Sequence, residues 1–186
     1  MYNKKKLTGF TLIEIAIVLV IISLLIGGIL KGQELITNSK IKSIINDAKS
    51  ISTAIYTYQD RFKAMPGDDD IAQTHLNDAT AINGNGDGLL SATEQQNLFA
   101  HLRVTGLING SGNSYPKHSF GGNIIVYSSR GNFNGLTVCF ENLDGKYASL
   151  VDSSTDDGIS NNGSVQDANK KNSYQIGVNY ELCWQG

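Results

Sequence analysis

The sequence predicts an α+β fold: one long N-terminal helix, membrane-spanning in its first half, packed on a small antiparallel β-sheet in a C-terminal head. Three observations predict it. Residues 10–30 form an apolar run broken by one charge, an amphipathic stripe continues the same helix to about residue 63, and beyond residue 120 the apolar spacing shortens to the two-residue period of strands.

The apolar run, "FTLIEIAIVLVIISLLIGGIL", has 21 residues, which as a helix reach roughly 31 Å, close to a bilayer's hydrocarbon thickness. Lys4, Lys5 and Lys6 precede it and predict that the N-terminus stays in the cytoplasm while the head is exported. The run ends Ile29-Leu30-Lys31 without the small-x-small pattern of an ordinary signal-peptidase site. At its other end Gly9 is a small residue directly before Phe10. The residues alone leave an uncleaved anchor and processing after Gly9 both open. Glu14 is the single charge inside the run. Lying within about a turn of position 10, it can snorkel to the headgroups or take a cationic partner.

After Gly32 the pattern becomes amphipathic. Leu35, Ile36, Ile41, Ile44, Ile45, Ala48, Ile51, Ala54, Ile55, Tyr58 and Phe62 recur at three- and four-residue steps, opposite Lys40, Lys42, Asp47, Lys49 and Ser52. Gly27, Gly28 and Gly32 are the weak points, at about 1 kcal/mol each relative to alanine. "MPGDDD" stops the helix with Pro66 and Gly67, and its aspartates can cap the segment after it. That segment allows a short helix. Residues 92–110 read as another, with Leu98, Phe99, Leu102 and Leu107 on its apolar face and Gly106 at its end. Strands are expected at 122–129, 136–143 and 146–152, joined by Arg130-Gly131-Asn132 and Asp144-Gly145 turns, with a last strand at 173–184. Residues 153–171, rich in Asp, Ser, Asn and Gly, read as a long exposed loop.

One stretch carries metal-binding chemistry. "NGNGDGLLSATE", residues 83–94, follows the twelve-residue calcium-loop template: Asn83, Asn85 and Asp87 offer side-chain oxygens at the first, third and fifth places, and Gly88 makes the turn at the sixth. Leu89 offers its carbonyl, Ser91 can hold a water, and Glu94 closes the loop. With Asn first and only Asp87 and Glu94 charged, the affinity expected for Ca2+ is weak, about 0.1 to 1 mM. The competing reading is a polar turn in which Glu94 caps the following helix. Asp152, Asp156 and Asp157 form a second acidic patch whose spacing matches no template; it reads as a solvated turn, the alternative being a metal site.

The two cysteines, Cys139 and Cys183, are not in a C-x-x-C arrangement; in an exported head they are expected to pair as a disulfide, the alternative being two buried thiols. Closing that loop is worth on the order of 4 kcal/mol in the chain-entropy model. The formal net charge is −2, and without the three leading lysines the rest carries −5, which argues against nucleic acid as a primary partner. His75, His101 and His118 are scattered, and the chain has neither a nucleophile elbow nor a phosphate-binding glycine motif, so no enzyme is expected.

"KKKLTG" followed by "FTLIE" resembles the leader and processing site of the type IV prepilin family, which includes the pseudopilins of type II secretion and competence systems. The resemblance implies that residues 1–9 are a basic leader removed by a prepilin peptidase, with the cut between Gly9 and Phe10 and methylation of the new Phe10 amine. Residues 10–32 would be the transmembrane and assembly half of the helix, and residues 33–186 the extracytoplasmic head. Glu14 would be the family's glutamate at the fifth mature position, placed to neutralise a neighbouring subunit's terminus in a filament. Two unit charges about 4 Å apart attract by roughly 4 kcal/mol at an effective dielectric near 20, before desolvation. The implied partners are other pilin subunits, the peptidase, an inner-membrane assembly platform and membrane lipid. The implied location is the inner membrane first, then a periplasmic or surface filament. The resemblance also covers the pilin-like fold, the late disulfide-bounded region and the "PGD" and "NGNGDG" stretches. Many type IV pilins carry a helix proline that this chain lacks. A pseudopilin or minor pilin, and a membrane-anchored calcium-dependent adhesin, are the alternatives.

Overall fold

The computed structural model describes residues 11–185, so Gly9 and Phe10 lie outside the described residues. Helix α1 spans Leu12–Phe62 without a break. A reciprocal cap starts it: the Thr11 N–H and hydroxyl each donate to Glu14 Oε2 at 2.8 Å, while Thr11 Oγ1 accepts from the Glu14 N–H at 3.3 Å. Gly27, Gly28 and Gly32 sit inside continuous helix.

The chain divides into two compact units, residues 1–39 and residues 40–186. In the first, α1 is apolar all round from Ile15 to Leu30 and its large side chains stand exposed, Leu12 at 92% and Leu24 at 73%. This is the one helix among the described residues long and apolar enough to cross a membrane. Leu35 and Ile36, assigned from sequence to the buried stripe, belong to this exposed part.

In the second unit the expected stripe is buried: Ile41, Ile44, Ala48, Ile51, Ala54, Ile55 and Tyr58 join one core with residues from a helix and a sheet. The helix is α3 (Ala92–Val104), which contributes Leu98, Phe99 and Leu102. Between α1 and α3 lies the short α2 (Ala72–Leu76). The sheet is antiparallel with order β1-β2-β4-β3, where β1 is Ile124–Arg130, β2 Phe133–Asp144, β3 Val165–Asp167 and β4 Asn179–Gln185. Strand alternation sends Val138 and Phe140 into the core and Cys139 to the opposite face, where it pairs in register with Cys183. This is the α+β, pilin-like layout expected from the sequence.

Three assignments differ. The expected strand at 146–152 is instead helix α4 (Gly145–Ser153). Asp144, expected in a hairpin turn, is its N-cap, accepting from Lys146 N–H at 2.8 Å, and Ala148 and Val151 at helical spacing turn into the core. The last strand begins at Asn179 because residues 173–178 form turns, with Gly177 at φ 80°. The "exposed loop" 153–171 contains β3, whose three residues are all buried against β4.

Candidate functional site

At the N-terminus of α1 the Glu14 carboxylate is gathered onto the first helical turn by Thr11, where the helix dipole favours a negative charge. The next charges along the helix are Lys31 and Glu34, an exposed ion pair at 2.7 Å. The apolar span is therefore bracketed by charge at both ends.

Of the predicted calcium loop, Gly88 adopts φ 80° as a sixth-position turn requires, and Leu90 is buried as an anchor. Asp87 Oδ1 accepts from Leu89 N–H at 2.8 Å and Asn85 Oδ1 from Asp87 N–H at 3.0 Å. Glu94 both caps and closes: Oε2 accepts from Ser91 N–H at 2.9 Å in a capping box with Ser91, and Oε1 accepts from Asn85 N–H at 3.1 Å. Asn83 faces elsewhere, accepting from Gln73 N–H at 3.0 Å. The hydrogen bonds of the capped turn are thus present across the calcium-type spacing. Asp68, outside the predicted set, lies against the loop: its Oδ1 accepts from Gly86 N–H at 2.8 Å and Asp87 N–H at 3.2 Å, and its Oδ2 from Gly88 N–H at 2.8 Å. The approach is close: a Cβ on Gly84 would collide with the Asp68 backbone. Asp68, Asp87, Glu94 and Asn85 thus each turn a side-chain oxygen, the kind of donor a hard divalent cation takes, onto an N–H group of the loop.

The segment carrying Asp68 is held from behind. Asp69, 1% exposed, accepts from the Tyr58 hydroxyl at 2.7 Å, meets His75 Nδ1 at 2.7 Å, and accepts from Ile71 N–H at 3.1 Å. Burial by itself would raise its pKa, but the hydrogen bonds from His75, Tyr58 and the Ile71 N–H outweigh it and hold the carboxyl below the usual carboxylate range. His101 accepts the Gly67 N–H at Nδ1 and bonds the Ile82 carbonyl through Nε2, and burial keeps its pKa low. It is a neutral packing residue rather than a base. His118 is held the same way between Phe120 N–H and the Glu141 carbonyl.

In the late loop, Asp152, Asp156 and Asp157 bring oxygens within 4.8 Å of one another, an acidic group able to hold a metal ion. The solvated-turn reading fails for one of them: Asp152 is fully buried, accepting from the Tyr174 hydroxyl at 2.6 Å and Gly158 N–H at 3.1 Å. Burial foremost pushes its pKa up, and the charges of Asp157 and Asp156 add to it against those hydrogen bonds. Cys139 and Cys183 form a disulfide, packed with Phe133 and the half-buried Tyr127 and Ala168.

The family model of the prokaryotic N-terminal methylation motif matches residues 4–30. No curated protein and no solved structure matches the chain.

Proposed function

We propose that this chain, whose N-terminal segment is a type IV prepilin-like cleavage and methylation segment, is a structural subunit of a type IV pilus or pilus-like filament. The observation that carries the reading is that match, set on a helix that is apolar and exposed all round and carries Glu14 at its first turn. The segment and the apolar helix fit a membrane-anchored precursor. Cleavage after Gly9 and N-methylation at Phe10 create a cationic terminus one residue before Thr11, the residue that gathers Glu14. In a filament Glu14 neutralises the terminus of a neighbouring subunit, and the exposed apolar helix exchanges lipid for other helices. The partners are other pilins, the peptidase and the assembly platform. The assembled product is periplasmic or on the cell surface.

The same processing serves a pseudopilin or minor pilin of a secretion or competence apparatus, and the uninterrupted, proline-free α1 favours that second reading. In the head, calcium at Asn85, Asp87, the Leu89 carbonyl, Ser91 and Glu94, without the outward-turned Asn83, would tie the loop to α3, and the Cys139–Cys183 bridge staples β2 to β4. The ion supplies charge neutralisation and a cross-link, no chemistry. Calcium at about ten times its dissociation constant would add about 1.4 kcal/mol, so melting in calcium against chelator should show a higher transition in calcium. Equal transitions contradict a calcium role.

Glu14→Ala tests the assembly role. The variant should remain in the membrane fraction while filament yield falls sharply. Normal filaments would remove the electrostatic account. An adhesin that used the helix only as an anchor would keep its binding in that variant.

A further inference from the structure

Lys40 is the first residue of the second compact unit, and the side chains gathered around it are aromatic, cationic and apolar. The Ser119 hydroxyl donates to the Lys40 carbonyl at 2.9 Å, and the Lys40 ammonium lies 5.2 Å from the ring centre of Phe120. Phe120 stacks on Tyr147 with ring centres 4.3 Å apart, and the Lys146 ammonium stands 5.7 Å from the Tyr147 ring centre. Both rings are half-buried and Lys146 is exposed. Beside Lys146 a turn projects. Gly145 N–H donates to the Val178 carbonyl at 2.9 Å and Gly177 N–H to Asp144 Oδ2 at 2.8 Å, which pins the turn against the start of α4. At its tip Ile176 is 80% exposed, more than any other large apolar side chain among the described residues of the second unit. Lys171 adds a third cation, its ammonium donating at 3.1 Å to the carbonyl of Asn179, the β4 residue opposite Asp144. Asp144 is the carboxylate of the group, and its two oxygens already accept from Lys146 N–H and Gly177 N–H. Nearby, Glu141 and Lys117 both bond Asn123 and offset each other.

Resting on the reading of α1 as a membrane anchor, we propose that Lys40, Phe120, Lys146, Tyr147 and Ile176 form a docking patch for the anionic phospholipid surface of the bilayer that holds the chain. The headgroup layer takes this combination of groups. Amphipathic rings settle at headgroup level, and lysine ammoniums are drawn to anionic phosphates. A protruding aliphatic side chain gains by leaving water for the acyl boundary. The tether is short, because Lys40 follows Leu30 by ten residues, about 15 Å of chain as helix. The headgroup layer takes up roughly 5–8 Å of that length. Lys40, Lys146 and Lys171 outnumber the one carboxylate, Asp144, so the patch carries the sign that an anionic surface attracts. Docking holds the head against the bilayer before assembly and ends when the helix leaves the lipid.

The test uses the full chain in lipid nanodiscs, with ¹³C-labelled isoleucine methyls and a gadolinium chelate on a fraction of the headgroups. In discs containing phosphatidylglycerol, Ile176 should broaden well beyond Ile82. Ile82 is a fair control because it is also exposed, at 52%, yet its carbonyl bonds His101, which stacks on Tyr58, about 27 Å along α1 from Lys40. In discs of phosphatidylcholine alone the difference should shrink, and Lys146→Gln, a change at an exposed side chain, should weaken docking about fivefold. An equal difference in both lipids would overturn the anionic partner. Ile29, inside the apolar span, reports insertion. If Ile29 broadens while Ile176 broadens no more than Ile82, docking is overturned and the membrane anchor stands. If Ile29 stays sharp, the anchor reading and this inference fall together. If Ile176 responds to the number of chains per disc instead of to lipid charge, a second copy covers the patch and the lipid proposal is overturned.

Discussion

Asp69 shows how one buried charge holds the head together around the candidate loop. Its carboxyl is held low by His75, Tyr58 and Ile71 N–H against the effect of burial. Its stabilisation is therefore complete above the ordinary carboxyl value of 3.8 and is lost as pH falls through its lower folded value. His101 and His118 act higher on the scale. Burial lowers both from 6.5, so the unfolded chain takes up protons first and stability begins to fall below about pH 6.5. Asp152 works oppositely, because its raised carboxyl makes neutral pH the costly condition and acidification relieves it. Melting curves across pH should accordingly decline in two acid stages. Tyr58→Phe removes one donor to a buried carboxylate and should cost about 1.5 to 3 kcal/mol at neutral pH, shrinking once Asp69 is protonated. Equal losses at pH 7 and at a pH acid enough to protonate Asp69 in the folded protein would contradict the assignment. At this scale legibility follows distance along the chain. The motif that suggests Gly9, Phe10 and Glu14 is contiguous, and a template spans Asn85, Asp87 and Glu94, so these proposed roles can be formulated from sequence. Asp68 reads from sequence only as a cap, since its partners at 86–88 are brought to it by tertiary folding.

Elements are legible where one period dominates. Helix α1 is, since its stripe repeats over many turns, and so are β1 and β2 with their β-branched residues. Helix α4 is mistaken for a strand because Tyr147, Ala148, Leu150 and Val151 fit either element in so few residues, and the deciding signal is the Asp144 cap. Strand β3 escapes detection because a three-residue strand with one apolar side chain leaves no periodic trace. Ser91→Ala tests the junction between the loop and α3. Loss of the cap should cost about 1 kcal/mol, measured by chemical denaturation in chelator. Replacing Cys139 and Cys183 by serine should cost on the order of 4 kcal/mol, because their 44-residue separation frees α4 and β3 in the unfolded state. A loss under about 1 kcal/mol would show that sheet pairing alone holds β4. In Gly84→Ala the new Cβ meets the Asp68 backbone, so that variant should lose both stability and any calcium response.

The whole chain joins two kinds of solvent preference. Its first 39 residues include a helical stretch, Ile15 to Leu30, with no polar face, and the rest bury an ordinary core closed by a disulfide. That division is visible in the sequence from the apolar run, the lysines before it and the cysteines after it. Which filament the proposed subunit would enter is not, because that choice would rest on surfaces that carry no local motif. Filament assembly of this kind depends on processing at a defined bond, and intact-mass and N-terminal peptide mass spectrometry of the protein from its own cells tests this most directly. The predicted result is a chain beginning at Phe10 with one methyl on its amine and Glu14 unmodified. An intact Met1, or a terminus created downstream of the apolar run, would contradict it.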